Sequence, residues 1–236
     1  MTPNEPVGSF ALVLHSHLPW LAHHGSWPVG EEWLYQSWSG SYLPVFRVLE
    51  QLASEGRTDL VTLGMTPVLA AQLDDPYCLS QFETWMGFWV ERANQLASHP
   101  DDAKRTVGQY EAKGARECVD IFGSEWASGG STIVRRLSDS HAIELLSGPA
   151  THPFQPLLDD EIASFALAVG RNDTQLRTGC LPTGIWAPEC GYRPGLEETY
   201  AAAGVGHFMV DGPTLLHVGR STADAWTIGD TDVVAF

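Results

Sequence analysis

The sequence predicts an α/β protein whose strands form a parallel sheet. Short apolar segments of strand character alternate about five times with longer segments whose apolar residues recur at helical spacing. This alternation is typical of parallel β/α folds. The first segment is continuously apolar from Phe10 to Leu14, as expected for a buried parallel strand. Polar side chains follow several of these strands at their C-terminal ends, where parallel β/α proteins carry their catalytic residues.

Apolar periodicity and helix-ending residues define the predicted elements. The strand-like segments are residues 10–14, 60–63, 142–147, 184–187, 206–210 and 232–236. The helical segments are residues 41–55, 79–98 and 101–126, a short helix ending at Leu137, and helices opening at Asp159 or Asp160 and at Pro194. Five or six β/α units are too few for an eightfold barrel. The sequence therefore fits an open sheet or the front part of a longer protein.

Composition excludes several classes of function. The 236 residues carry 29 acidic and 13 basic side chains, a formal net charge of −16. Such a surface repels phosphate backbones and anionic lipid, so we expect neither nucleic acid nor a membrane as a partner. The N-terminus lacks a basic region followed by an apolar segment, and the four cysteines form no C-x-x-C pair. We therefore expect a cytoplasmic protein with reduced thiols and no structural zinc.

Two histidines end the first predicted strand. His15 and His17 are two residues apart, so on a strand both side chains project to the same face. Two imidazoles at this spacing, with a later histidine or aspartate, could hold Zn²⁺. They could equally bind sugar hydroxyl groups inside a barrel, or form a hydrogen-bonded pair without a ligand. The spacing alone leaves these three interpretations open.

Two carboxylates follow later strands. Glu189 ends the fourth strand, between Trp186 and Tyr192, and we expect partial desolvation there. This is a setting for a nucleophile or a protonated acid, although an ion-paired or capping glutamate is equally compatible. Asp211 ends the fifth strand and could be a second carboxylate, or a residue that stabilises the turn before Pro213.

Tryptophan is over-used in the segment after the first strand. Trp20, Trp27, Trp33 and Trp38 lie within about two dozen residues that also contain several glycines. Tryptophan rings stack on the flat faces of neutral ligands such as sugars. We therefore expect a loop that carries sugar platforms.

Taken together, these motifs resemble glycoside hydrolase family 57. The stretch His15-Ser-His-Leu-Pro19 resembles its first signature region, and Gly184-Ile-Trp-Ala-Pro-Glu-Cys-Gly-Tyr192 resembles its third. Residues 147–154, which include His152, fit the region around the third strand. Residues 23–38 resemble the 1,4-α-glucan branching enzymes of the family more than its amylases or 4-α-glucanotransferases. The similarity covers the chain from Phe10 onward.

The resemblance implies an α/β fold that is an incomplete parallel (β/α)7 barrel, with about five to six strands in residues 1–236. It implies a metal-free retaining branching enzyme that cleaves α-1,4 bonds and forms α-1,6 bonds, with an α-1,4-glucan as its substrate, no cofactor and a monomeric full-length form. The implied nucleophile is Glu189. The implied substrate-binding residues are His15, His17, Trp27, Trp33, His152, Trp186 and Asp211.

One feature of the family pattern is missing from this sequence. The family's general acid/base is an aspartate on a later strand, followed by a helical domain, and Asp211 does not match its position. We therefore expect the acid/base to lie beyond Phe236, and the chain alone to be inactive and poorly soluble. Two alternatives are a metal-dependent carbohydrate deacetylase and a non-catalytic glucan-binding paralogue.

Overall fold

The computed structural model of the chain describes residues 8–25 and 30–236. Its strands are β1 (Val13–Ser16), β2 (Val61–Met65), β3 (Ile143–Ser147), β4 (Gly184–Trp186), β5 (His207–Met209), β6 (Trp226–Thr227) and β7 (Val234–Ala235). Its helices are α1 (Glu31–Ser37), α2 (Leu43–Ser54), α3 (Pro67–Asp74), α4 (Pro76–Ala97), α5 (Asp102–Glu125), α6 (Gly130–Asp139), α7 (Asp160–Thr178), α8 (Leu196–Ala202) and α9 (Gly212–His217). A π-helical turn, Trp38–Tyr42, joins α1 to α2.

The strands form one sheet in the order β1-β2-β3-β4-β5-β7-β6. Neighbours pair in parallel except for β6 and β7, which are antiparallel. Within the described residues, β1 and β6 end the sheet without pairing to each other, so the strands form an open segment of a barrel. The α/β class and the parallel sheet are confirmed. The sheet has seven strands rather than five or six because β6 is two residues long and has no apolar run.

The first strand is less buried than the sequence predicted. Phe10 is 89 % exposed, and the strand begins only at Val13. In the part of the chain that the structure describes, β1 pairs with β2 alone. One edge of the strand therefore stays open, and apolar residues before it have no neighbouring strand to cover them.

Two apolar clusters hold the helices to the sheet. The larger is centred on Trp38, Phe82 and Trp126, and the smaller one contains Tyr200 and Phe208. Trp38 was predicted to be a sugar platform in a loop, and that prediction is wrong. Its ring is fully buried and stacks on Phe82 with the centroids 4.6 Å apart. Residues 31–42 are helical rather than a loop, and this turns Trp38 into the core.

None of the helices in residues 8–25 and 30–236 combines the length and the apolar character that a bilayer span requires. The longest, α4 and α5, pack against each other as an antiparallel pair. Polar residues recur along both of them. Each has a capping aspartate, Asp75 in α4 and Asp101 in α5, whose carboxylate accepts hydrogen bonds from the first-turn backbone.

We expect Gly170→Ala to destabilise the fold by about 1–3 kcal/mol. Gly170 lies in α7 where the helix crosses the loop after β3, and a Cβ there would lie 2.1 Å from the carbonyl oxygen of Gly148. The control is Gly87→Ala in α4, where no atom lies within 4 Å of the added Cβ. That change should stabilise the helix by up to about 1 kcal/mol. Urea unfolding measures both, and equal shifts would contradict the close approach.

Candidate active site

The site lies at the carboxyl ends of the parallel strands. His15 on β1 is in register with Gly64 on β2, and Gly64 is in register with Leu146 on β3, which faces Gly184 on β4. Residues in register share a face of the sheet, and so do residues two apart on one strand. Trp186 therefore projects from the same face as His15, one step nearer the end of its strand.

Four rings from three parts of the chain form a stacked column. The ring of His15 lies on that of Trp186 with the centroids 4.1 Å apart and the planes 9° apart. His17 stacks on His152 with the centroids 3.9 Å apart, and His152 lies 5.4 Å from His15. Nδ1 of His15 and Nδ1 of His152 are buried, so Nε2 is the nitrogen that these two rings can offer to a ligand. A neutral imidazole has one N–H donor and one acceptor nitrogen, so Nε2 is one or the other according to the tautomer.

Glu189 lies beside this column, in the loop after β4. Its Oε1 is 3.9 Å from Nε2 of His152. The two residues line one cavity of about 370 Å³ together with His15, His17, Trp186, Cys190 and Asp211. His152, Glu189 and Cys190 all have left-handed backbone, with φ of 55°, 54° and 52°. This conformation costs about 1–3 kcal/mol for a residue other than glycine, and such strain clusters at functional sites.

The expected desolvation of Glu189 is not what the structure shows. The side chain of Glu189 is 75 % exposed, whereas that of His152 is 4 % exposed. Glu189 lies in the turn Pro188–Cys190, where its backbone is left-handed. Its neighbours on this side are the imidazole edges, and the described residues leave its outer side to solvent.

Burial keeps the histidines of the column neutral. It lowers the pKa of His15 to about 4 and that of His152 to about 3, and neighbouring imidazoles add to both effects. Burial also lowers the pKa of His17, although the charge of Glu189 opposes this shift. Burial raises the pKa of the Cys190 thiol, and the carboxylates of Asp211 and Glu189 add to it. The cavity therefore joins uncharged imidazoles and a protonated thiol to two carboxylates.

The histidine rings do not fit a shared metal ion. The lone pair of an imidazole nitrogen lies in the plane of its ring, so three ligands of one ion must point their ring planes at a common centre. The rings of His15, His17 and His152 are instead stacked within 24° of parallel. Within residues 8–25 and 30–236, no three histidine, cysteine or acidic side chains are grouped as metal ligands.

Of the remaining predicted site residues, the structure places one in the cavity with Glu189. Asp211 lines the cavity and precedes α9, and its side chain makes no capping hydrogen bond to that helix. Trp33 lies on α1, is exposed and is not among the residues that line the cavity with Glu189. Trp27 lies outside the described residues.

Two residues at this site were given no individual role from the sequence, although Thr66 was placed among the polar residues at the strand ends. Cys190 lines the cavity next to Glu189. Thr66, directly after β2, holds Nδ1 of His17 through its Oγ1 at 3.2 Å. A signal existed for Thr66, since a threonine before a proline at a strand end is a typical helix cap. Nothing in the spacing indicated that its hydroxyl would reach a histidine 49 residues away.

A sequence model described as Glycosyl hydrolase family 57 matches residues 11–236. The chain belongs to glycosyl hydrolase family 57. The family resemblance drawn from the segments around His15 and Glu189 is thereby confirmed.

Branching enzymes of this family are similar to the chain. A probable 1,4-alpha-glucan branching enzyme of Mycobacterium tuberculosis is 52 % identical over 250 residues, which cover 100 % of this chain and 47 % of the relative. A 1,4-alpha-glucan branching enzyme of Thermococcus kodakarensis is 36 % identical over 79 % of this chain and 28 % of its own length. The crystal structure of the family 57 branching enzyme of Pyrococcus horikoshii has a TM-score of 0.89 and 28 % identity, over 97 % of this chain and 46 % of its own. The chain spans about half the length of the curated relatives it matches.

We expect the free energy of unfolding to fall as the pH drops below about 6.5, the ordinary pKa of histidine. Between that pH and about 4, His15 and His152 stay neutral in the folded chain but bind protons in the unfolded chain. Acid therefore favours unfolding, and these two imidazoles account for an uptake of about two protons near pH 5. Urea unfolding near pH 7 and near pH 5 measures this dependence.

The variant His15→Asn should reduce that uptake by about one proton, since one of the two groups is gone. The ring C–H signals of His15 and His152 in NMR spectra should stay constant over the same pH range. Signals of both rings that titrate near pH 6.5 would contradict the assignment of neutral buried imidazoles.

Proposed function

We propose that this chain carries the nucleophile and sugar-binding part of a 1,4-α-glucan branching site. The observation that carries the proposal is the position of Glu189, whose carboxylate lies 3.9 Å from His152 beside a column of neutral imidazoles. The similarity to branching enzymes over the whole chain supports it. A carboxylate at a strand end of a parallel barrel is in the usual place for chemistry.

In the proposed reaction Glu189 attacks the anomeric carbon of an α-1,4-linked glucosyl unit. A bond forms between that carbon and a carboxylate oxygen, and the bond to O4 of the next unit breaks with its electron pair. The 6-hydroxyl of another glucan segment then displaces Glu189, and its proton leaves to a base. Two inversions retain the α configuration and create an α-1,6 branch.

The departing O4 needs a proton, so the reaction requires a second carboxylate. We propose that it belongs to the half of the branching enzymes that this chain does not match, which is 53 % of the Mycobacterium tuberculosis relative (100 % minus the 47 % covered). In this proposal Asp211 binds a sugar hydroxyl group instead. Residues 1–236 then form the first part of the catalytic domain.

The imidazoles of His15, His17 and His152 would bind hydroxyl groups of the sugar next to Glu189. A neutral ring suits this task because its Nε2 presents either a donor or an acceptor, according to the tautomer, to a hydroxyl, which is itself both. Trp186 would contribute its ring to the wall of the same subsite. Following the family resemblance, we assign Trp27 and Trp33 to the groove that holds donor and acceptor chains.

We further propose glycogen synthesis in the cytoplasm as the setting. Cys78, Cys118, Cys180 and Cys190 are all free thiols, as expected in a reducing compartment. The net charge of −16 favours a neutral polysaccharide over polyanionic partners such as nucleic acid or anionic lipid. The full-length protein is proposed to be a monomer.

Replacing Glu189 by glutamine should abolish branching. In the full polypeptide that the gene encodes, we expect Glu189→Gln to lower branch formation from amylose at least about 10³-fold, because the amide cannot attack the anomeric carbon. Amylose binding should persist. The matched control is Glu198→Gln, an exposed carboxylate on α8 that is not among the lining residues of the cavity. Debranching of the product followed by chain-length analysis measures the branches.

Chemical rescue with azide distinguishes a carboxylate that is the nucleophile from one that is essential for another reason. In Glu189→Ala, azide should enter the vacated space, attack the anomeric carbon and form a β-glycosyl azide, while O4 departs with a proton from the acid. Wild-type branching kinetics in Glu189→Gln, or an α-configured azide product, would refute the role of Glu189.

The full polypeptide that the gene encodes should bind maltoheptaose. We expect Trp186→Ala to weaken that binding about three- to tenfold, because the subsite loses an aromatic wall. Trp226→Ala is the control, since Trp226 lies on β6 and stacks with Arg220 rather than with the imidazole column. Isothermal titration calorimetry measures both affinities. Equal losses in the two variants would contradict a sugar subsite beside His15.

A further inference from the structure

Thr66 connects a helix cap to the sugar-binding histidines. It follows β2 directly, is 2 % exposed and is the N-cap of α3. Its Oγ1 accepts a hydrogen bond from the backbone N–H of Leu69 at 3.4 Å. The same oxygen lies 3.2 Å from Nδ1 of His17, whose ring lines the cavity with Glu189.

The hydroxyl proton of Thr66 decides which nitrogen of His17 carries a proton. Burial lowers the pKa of His17, so the ring is neutral near pH 7 and has one N–H. If that N–H were on Nδ1 and donated to Thr66, the buried hydroxyl proton would have no acceptor among the described residues. If the hydroxyl donates to Nδ1, every polar group in the contact is satisfied. An unsatisfied buried donor costs about 1–3 kcal/mol, which decides between the two arrangements.

We propose that Thr66 is a positioning residue that holds His17 in the tautomer with its proton on Nε2. Nε2 lies on the ring edge away from Thr66, so this tautomer gives the cavity a hydrogen-bond donor. The ligand atom that meets it must be an acceptor, such as the oxygen of a sugar hydroxyl group. The assignment of a sugar oxygen as the ligand atom rests on the proposed function, whereas the assignment of the tautomer does not.

The tautomer is measured directly in the full polypeptide that the gene encodes. In long-range ¹H–¹⁵N spectra of labelled protein near pH 7, we expect Nδ1 of His17 to resonate as an unprotonated nitrogen that accepts a hydrogen bond and Nε2 as a protonated one. A protonated Nδ1 in the wild-type protein would overturn the proposal without any variant.

Variants of Thr66 test the cause. Thr66→Ser keeps the hydroxyl and should leave both nitrogen signals in place. Thr66→Asp keeps an oxygen that can cap α3 but offers only acceptors, so Nδ1 should become protonated. Thr66→Val removes the donor and should move the Nδ1 signal to that of an unbonded nitrogen. An unchanged Nδ1 in both Thr66→Asp and Thr66→Val would refute the control by Thr66.

A cap variant at another helix is the control for the loss of stability that follows from removing any helix cap. Asp101→Ala removes the cap hydrogen bond to Lys104 at the start of α5, a helix that contributes no residue to the lining of the cavity. It should lower stability and leave the His17 signals unchanged. A shift of those signals in Asp101→Ala would show that they report general destabilisation and would overturn the assignment.

Maltoheptaose binding links the tautomer to the ligand. Thr66→Ser should bind as the wild type does, and Thr66→Asp about fivefold more weakly, the effect of one hydrogen bond. A changed tautomer with unchanged affinity would refute the positioning role. If the wild type has the Nε2 proton but binds no maltoheptaose, the proposed function fails and the assignment of the tautomer stands.

Discussion

The register of the parallel strands is the constraint on which the site depends. His15, Gly64 and Gly184 occupy one face because their strands are aligned residue by residue. A shift of one residue in β1 would turn both His15 and His17 to the opposite face, since side chains alternate along a strand. The site also depends on the absence of side chains at Gly64 and Gly184. A Cβ at Gly64 would lie 3.1 Å from Nδ1 of His15. A Cβ at Gly184 would lie 2.2 Å from Nε2 of His207 and 2.4 Å from Cδ2 of Leu146, so both side chains would have to move to admit a larger residue.

Stacking and burial together explain why the imidazoles are uncharged. Three protonated rings within about 6 Å of one another would repel strongly in a poorly hydrated environment. Nδ1 of His15 and Nδ1 of His152 are buried and have no hydrogen-bond partner among the described residues. A buried nitrogen without a partner costs less as a neutral acceptor than as a charged N–H donor, so these two atoms also favour uncharged rings.

The sequence was sufficient to predict the parallel sheet and the candidate residues on several strand ends. Apolar runs located β2 to β5 within two residues at each end, because buried strands have a strong local signal. The surroundings of these strands were less predictable. The burial of Trp38 depends on packing against Phe82, which lies 44 residues later in the chain (82 minus 38). The exposed Glu189 lies in a turn with left-handed backbone at Glu189 and Cys190. Because neither residue is a glycine, the sequence carries no signal for this conformation.

In the proposed branching reaction, the exposed carboxylate of Glu189 constrains how transfer prevails over hydrolysis. A covalent glycosyl intermediate reacts with water unless water is excluded, and concentration favours water by a wide margin. The described residues enclose His152 but leave the outer side of Glu189 to solvent. Exclusion must then come from the acceptor glucan or from protein outside these residues. If the acceptor itself closes the cavity, water leaves as the attacking hydroxyl arrives, and the same binding event protects the intermediate and positions its nucleophile.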